Sequence, residues 1–166
     1  RMQILGNSGD YDVIITEIGG TVGDIESLPY VETVRQMCWE KPNDCAVVHL
    51  TLVPYLSAAG ELKTKPTQHS VKQLQESGVF PDVLVCRTEH EISQAIRRKL
   101  ALFCNVQPDA VIQSIDAETI YDVPRLMKDE QLDKVVLSKL GLKPQGEVDI
   151  SHWEEFVFNL NNPKKS

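Results

Sequence analysis

Four short apolar runs recur along the chain, at Val13 to Ile15, Ala46 to Val53, Val83 to Cys86 and Val111 to Ile115. Runs this short and this rich in β-branched residues, bounded by turn residues, predict buried strands of a parallel sheet. The segments between them have the other periodicity. Ser27 is placed to cap a helix in which Val31, Val34 and Met37 recur at three-residue steps, and Lys41-Pro42-Asn43-Asp44 ends it. Thr67 is read as the cap of a helix over Gln68 to Ser77, stopped by Gly78. A third helix spans roughly Ser93 to Phe103, with Ile92, Ile96, Leu100 and Phe103 on one face. Pro124 suits a first helical turn, and Leu132 to Leu140 forms a further short helix that Gly141 terminates. Ser151 and Glu154 match a capping box for a last helix, with Trp153, Phe156, Val157 and Leu160 as its apolar face. Arg1 to Tyr11 carries little pattern beyond an Asn-Ser-Gly turn signal, and Asn161 to Ser166 reads as a linker. Strands alternating with helices predict an α/β fold, a mainly parallel sheet with helices on both faces. Ligand-binding groups of such a fold collect at the carboxyl ends of its strands.

Composition bounds this picture without redirecting it. The 166 residues are 42% hydrophobic and 25% charged, ordinary values for one globular domain. The 17 basic against 24 acidic side chains leave a net charge of -7, which argues against nonspecific nucleic-acid or anionic-membrane binding. Cys38, Cys45, Cys86 and Cys104 have no CxxC or zinc-finger spacing. Cys86 and Cys104 lie in apolar runs and read as reduced core residues of a cytoplasmic protein. No apolar run approaches the ~18 residues of a spanning helix.

Two loops carry candidate chemistry. In the first, Glu17 falls where the run Val13 to Ile15 would end, followed by Gly19, Gly20 and Gly23 and then by Asp24 and Glu26. A carboxylate at a strand tip beside a flexible backbone can hold a hard metal such as nucleotide-bound magnesium. A surface turn with solvated acids has the same pattern. In the second, Lys63 and Lys65 precede the cap expected at Thr67, with Gln68 beside it. Two cations at the positive end of a helix dipole are electrostatically odd unless an anion such as phosphate binds between them. Lysines pointing into water are the common alternative. Of Arg97, Arg98 and Lys99, one could reach a phosphate, and helical geometry alone does not say which. His49, inside a strand, reads as a hydrogen-bonded core residue.

The strings EIGGTVGDIESLP and HLTLVPYLSAAGELKTKPTQHSVK, with LALFCNV and SHWEEFVF further on, closely resemble the amidoligase (synthetase) domain of CTP synthase. The resemblance runs through nearly the whole chain. It implies a P-loop NTPase-like, dethiobiotin-synthetase-like amidoligase fold, truncated. Residues 1–160 would be part of that domain and residues 161–166 the start of a linker to a glutaminase domain. It further implies ATP-dependent amination of UTP to CTP with glutamine-derived ammonia. By this likeness Glu17 falls on a magnesium ligand. Asp24, Ile25 and Glu26 line a UTP/CTP site. Lys63, Thr64, Lys65, Pro66, Thr67 and Gln68 fall on a triphosphate loop, and Lys99 on a further triphosphate contact. The implied partners are Mg2+, ATP, UTP and CTP, in a cytoplasmic homotetramer that binds neither nucleic acid nor membrane.

No G-x-x-x-x-G-K-[ST] occurs in the sequence, and no cysteine context (MCW, DCA, VCR, FCN) matches a glutaminase nucleophile. The chain therefore reads as an excised piece of a longer polypeptide, with no catalytic residue assigned and little or no turnover expected in isolation. A second expectation is an inactive nucleotide-binding and oligomerisation module of the same protein. A dethiobiotin-synthetase-type amidoligase is disfavoured, because the KTKPTQ string would have no purpose there.

Overall fold

The centre of the molecule is β4 (Val83–Thr88), in which both alternating sets of side chains are apolar. In the computed structural model, which describes residues 2–144 and 146–163, it is the middle of a three-stranded sheet ordered β1-β4-β5. Both neighbours, β1 (Val48–Leu52) and β5 (Val111–Ile115), run parallel to it. The register sets Val48 opposite Val83 and Leu84 opposite Val111.

Successive side chains in β4 enter opposite layers, as the pleat requires. Leu84 and Cys86 join Val53, Val71, Leu100, Ala101 and Cys104 beneath α3 (Lys65–Glu76) and α4 (Gln94–Cys104). Val83 and Val85 pack with Ile112 on the other face, against residues of α5 (Val123–Asp129) and α6 (Leu132–Lys139). Upstream, α1 (Met2–Gly6) is a short helix, and α2 (Leu28–Glu40) buries Val31 against Leu74 and Val79. The last helix, α7 (Ser151–Asn161), is held by Trp153, whose Nε1 donates to Tyr121 O at 2.8 Å. Among the described residues no helix is long and apolar enough to cross a membrane.

The predicted α/β class holds, with three of the four expected strands and helices on both faces. Several local expectations are corrected. Val13 to Ile15 is not a strand, and Ile15 is 92% exposed. A strand exists through its ladder of backbone partners, and an apolar run without one has no reason to extend. Only Ile14 turns partly inward, near Gly6. One face of β1 is exposed as well, at Val48, Leu50 and Leu52.

Thr67 is not a cap. Pro66 sits in the first turn of α3 and Thr64 takes the N-cap position, so the helix begins earlier than expected. Phe103 is 57% exposed while Ala101 and Cys104 take its place inside, a rotation of the inward face of α4 by one position. The Ser151–Glu154 capping box does not form. Ile150 is the N-cap, and Ser151 N donates to Asp149 Oδ1 at 2.9 Å instead. Of the expected linker, Lys164 to Ser166 lie outside the described residues, as does Arg1.

Candidate functional site

The loop after β1 builds one wall of the candidate site. Past the buried Val53 the chain forms a small antiparallel hairpin, β2 (Tyr55–Leu56) with β3 (Glu61–Leu62). Its return brings Lys63 N within 2.9 Å of Pro54 O, and α3 begins two residues later. Within the KTKPTQ string the roles divide. Thr67 is fully buried and donates to Leu52 O at 3.0 Å, fixing the helix start to the end of β1. Thr64 is also buried and accepts from Gln68 Nε2 at 3.1 Å. Lys65 and Pro66 face solvent.

Of the lysines, Lys63 is held by a carboxylate. Lys63 Nζ is ion-paired and hydrogen-bonded to Glu61, whose carboxyl group is held below its usual range. The hydrogen bond from Lys63 is the main cause, its charge adds to it, and Lys99 on α4 contributes from a distance. The Lys63–Glu61 pair thus lies beside the first turn of α3, where backbone N–H groups lack helical acceptors. With side chains 39% and 59% exposed, the Lys63–Glu61 pair is screened by water and weak. An incoming polyanion can displace Glu61 at little cost.

The glycine loop forms a second element. Gly20 and Gly23 adopt φ of +88° and +99°, which a side chain rarely tolerates, whereas Gly19 has open space around it. A Cβ at Gly23 would collide with the Gln73 side chain of α3, so this loop packs against the helix that carries the lysine loop. Asp24 Oδ2 accepts from Thr21 N at 3.0 Å, and Ser27 Oγ donates to Asp24 O at 2.8 Å, closing the turn. Ile25 is 81% exposed and Glu26 is also exposed.

Glu17 is exposed, and among the described residues it makes no hydrogen bond or ion pair, with Lys63 and Lys99 or with any other side chain. No cluster of three or more metal-ligating side chains occurs among the described residues. A free carboxylate fits magnesium, which takes one or two protein oxygens and completes its shell with water and phosphate.

Sequence reasoning missed a second feature of the carboxyl edge. Arg87, near the end of β4, pairs with Asp116 just past β5, Nε to Oδ1 at 2.9 Å. Asp116 N also continues the ladder to Thr88 O at 2.9 Å. Beside it lies a shallow groove lined by Ile115, Asp116, Ala117, Glu118, Asp122 and Arg125. A charged residue closing each of two successive apolar runs was the available signal. Arg97 had the opposite fate from the solvated surface expected for most of its run. It turns inward to the Glu130 carboxylate at 2.8 Å. His49 is the core residue expected, with Nε2 2.9 Å from Ser70 Oγ.

The family model described as CTP synthase N-terminus matches residues 1–142. The chain is 66% identical over 167 residues to a CTP synthase of Flavobacterium johnsoniae, covering 100% of this chain and 31% of that protein. It is 67% identical over 165 residues to one of Flavobacterium psychrophilum, covering 99% and 31%. To one of Porphyromonas gingivalis it is 57% identical over 157 residues, covering 95% and 29%. The chain thus spans about a third of the length of the relatives it matches.

Proposed function

The chain belongs to the CTP synthase N-terminus family, and from that membership we propose that it supplies the pyrimidine-nucleotide site of a CTP synthase. The reaction is ATP-dependent amination of UTP to CTP with glutamine as the ammonia source. One observation supports this reading most: Lys63, beside the start of α3, has its ammonium group held, among the described residues, only by the exposed carboxylate of Glu61. That is a cation with an exchangeable anion at a helix start, an arrangement suited to a phosphate tail. Lys63 and Lys99 neutralise the phosphate charge, and the first-turn N–H groups with Gln68 add neutral donors. The buried Thr64 and Thr67 hold the loop that carries these groups in place.

Asp24, Ile25 and Glu26 form the pyrimidine-side wall in this reading. Glu17 is the protein oxygen for magnesium, which stabilises negative charge on phosphoryl oxygens when bound. Residues 1–160 are part of the amidoligase domain and residues 161–166 lead into a linker. The parent protein is a cytoplasmic homotetramer that binds ATP, UTP and CTP.

Calorimetric titration of the intact protein with CTP and with UTP, on wild type and Lys63→Ala, tests the reading. Affinity for both pyrimidine nucleotides should fall at least tenfold, with any ATP effect secondary. If ATP affinity collapses while UTP affinity holds, the lysine loop is not the pyrimidine triphosphate site. CTP binding by the 166-residue chain without turnover would favour the non-catalytic binding module instead.

A further inference from the structure

The hairpin that delivers Glu61 and Lys63 is too small to hold its own position. Its strands form two cross-strand pairs, Tyr55 with Leu62 and Leu56 with Glu61, and a ribbon of this size is not stable by itself in water. Directly opposed residues of an antiparallel pair share a face, so Tyr55 and Leu62 point one way and Leu56 and Glu61 the other. Leu56, Glu61 and the turn from Ser57 to Gly60 are all exposed. What fixes the hairpin therefore acts through Tyr55 and Leu62.

Leu62 packs against the core layer beneath α3 and α4. Tyr55, half-buried, has a different partner. Its ring lies 4.0 Å, centroid to centroid, from the ring of His90 and is tilted 60° to it. Its hydroxyl lies beside the turn, where a Cβ on Gly60 would stand 3.9 Å from Tyr55 Oη.

His90 is exposed, yet its backbone is fixed. The hydroxyl of Thr88, buried at the end of β4, donates to His90 O at 2.8 Å and accepts from His90 N at 3.3 Å. Further along, Ile92 N donates to Gln113 Oε1 at 2.6 Å, and the Ile92 side chain enters the core. The loop from β4 to α4 thus presents the imidazole from a rigid base.

We propose that the Tyr55–His90 ring contact is a latch. It holds the β2–β3 hairpin against the carboxyl edge of the sheet and so positions Lys63 for the phosphate tail of a pyrimidine nucleotide. Both are positioning residues that act through the hairpin, and the inference rests on the proposed role of the lysine loop. Without the latch the hairpin samples other positions, Lys63 spends less time beside the first turn of α3, and ordering it again weakens binding of the tail. The contact needs two flat rings and neither a hydroxyl nor an ionisable nitrogen, so another aromatic side chain serves in either place.

Hydrogen exchange and calorimetric titration of the intact protein test this. Amide exchange in peptides covering residues 55–63 should rise roughly fivefold in Tyr55→Ala and in His90→Ala. CTP affinity should fall about fivefold in each and no further in the double variant, with ATP affinity unchanged. Because His90 is exposed, His90→Ala keeps the test open should Tyr55→Ala misfold. Tyr55→Phe and His90→Phe should keep the wild-type exchange and affinity, and loss in these variants overturns the latch. Wild-type exchange in both alanine variants also overturns it, as does unchanged CTP affinity in them when Lys63→Ala weakens binding. Unchanged CTP affinity in Lys63→Ala as well removes the pyrimidine reading of the lysine loop, and the latch's part in binding with it.

Discussion

The Arg97 guanidinium grips the Glu130 carboxylate with two N–H donors at 2.8 Å, tying α4 to the segment between α5 and α6. The same arginine donates to Val111 O, and Glu130 Oε2 accepts from Gln113 N at 2.9 Å, so one ion pair clamps both layers to β5. With side chains only 16% and 22% exposed, removing either partner strands a charge in a dry place. Arg97→Leu should lower unfolding free energy by about 3 kcal/mol in urea titration.

The same pair sets an acid limit. Burial acts to raise the Glu130 pKa, but Arg97 and the Gln113 N–H outweigh it and hold the carboxyl below its usual range. A depressed folded-state pKa gives stability that is present above the unfolded value of about 4.3 and lost as pH falls through the folded one. Urea midpoints followed downward from pH 5 should drop in wild type and drop less in Glu130→Gln.

His49 acts nearer neutrality. Burial lowers its pKa, so the unfolded chain binds its proton first. Stability should therefore decline as pH falls through about 6.5 and level off below the folded pKa. A His49→Gln variant should show a flatter profile over that window in the same titration.

Glu61 competes with any anion for Lys63. If the lysine cluster takes a nucleotide tail, Glu61→Gln should bind CTP about threefold more tightly at low salt, with the gain shrinking as salt rises. Unchanged affinity at all salt concentrations would remove Lys63 from the phosphate site.

Glu17 is exposed and makes no hydrogen bond or ion pair among the described residues. If Glu17 holds the metal of the proposed reaction, Glu17→Ala in the intact protein should leave the circular dichroism spectrum and melting temperature unchanged while abolishing nucleotide-dependent phosphate release. Normal release would exclude it as the metal ligand.

The sequence by itself determined the α/β class, three strands and most of the helices. Those features follow from short-range periodicity and from Gly, Pro and Ser punctuation, which act within one turn or one strand. It also marked the KTKPTQ and glycine-rich strings as special through their unusual chemistry. Only the tertiary structure decided which apolar runs are strands. Val83 to Thr88 has a ladder on both sides, whereas Val13 to Ile15 is equally β-branched and has none. It alone decided that Arg97 serves the core through Glu130 and that Lys63 pairs with Glu61. The first pair joins α4 to the segment between α5 and α6, and the second sits where the chain leaves β3. Their distances depend on where whole helices come to rest and on how the chain reverses, which no local pattern encodes.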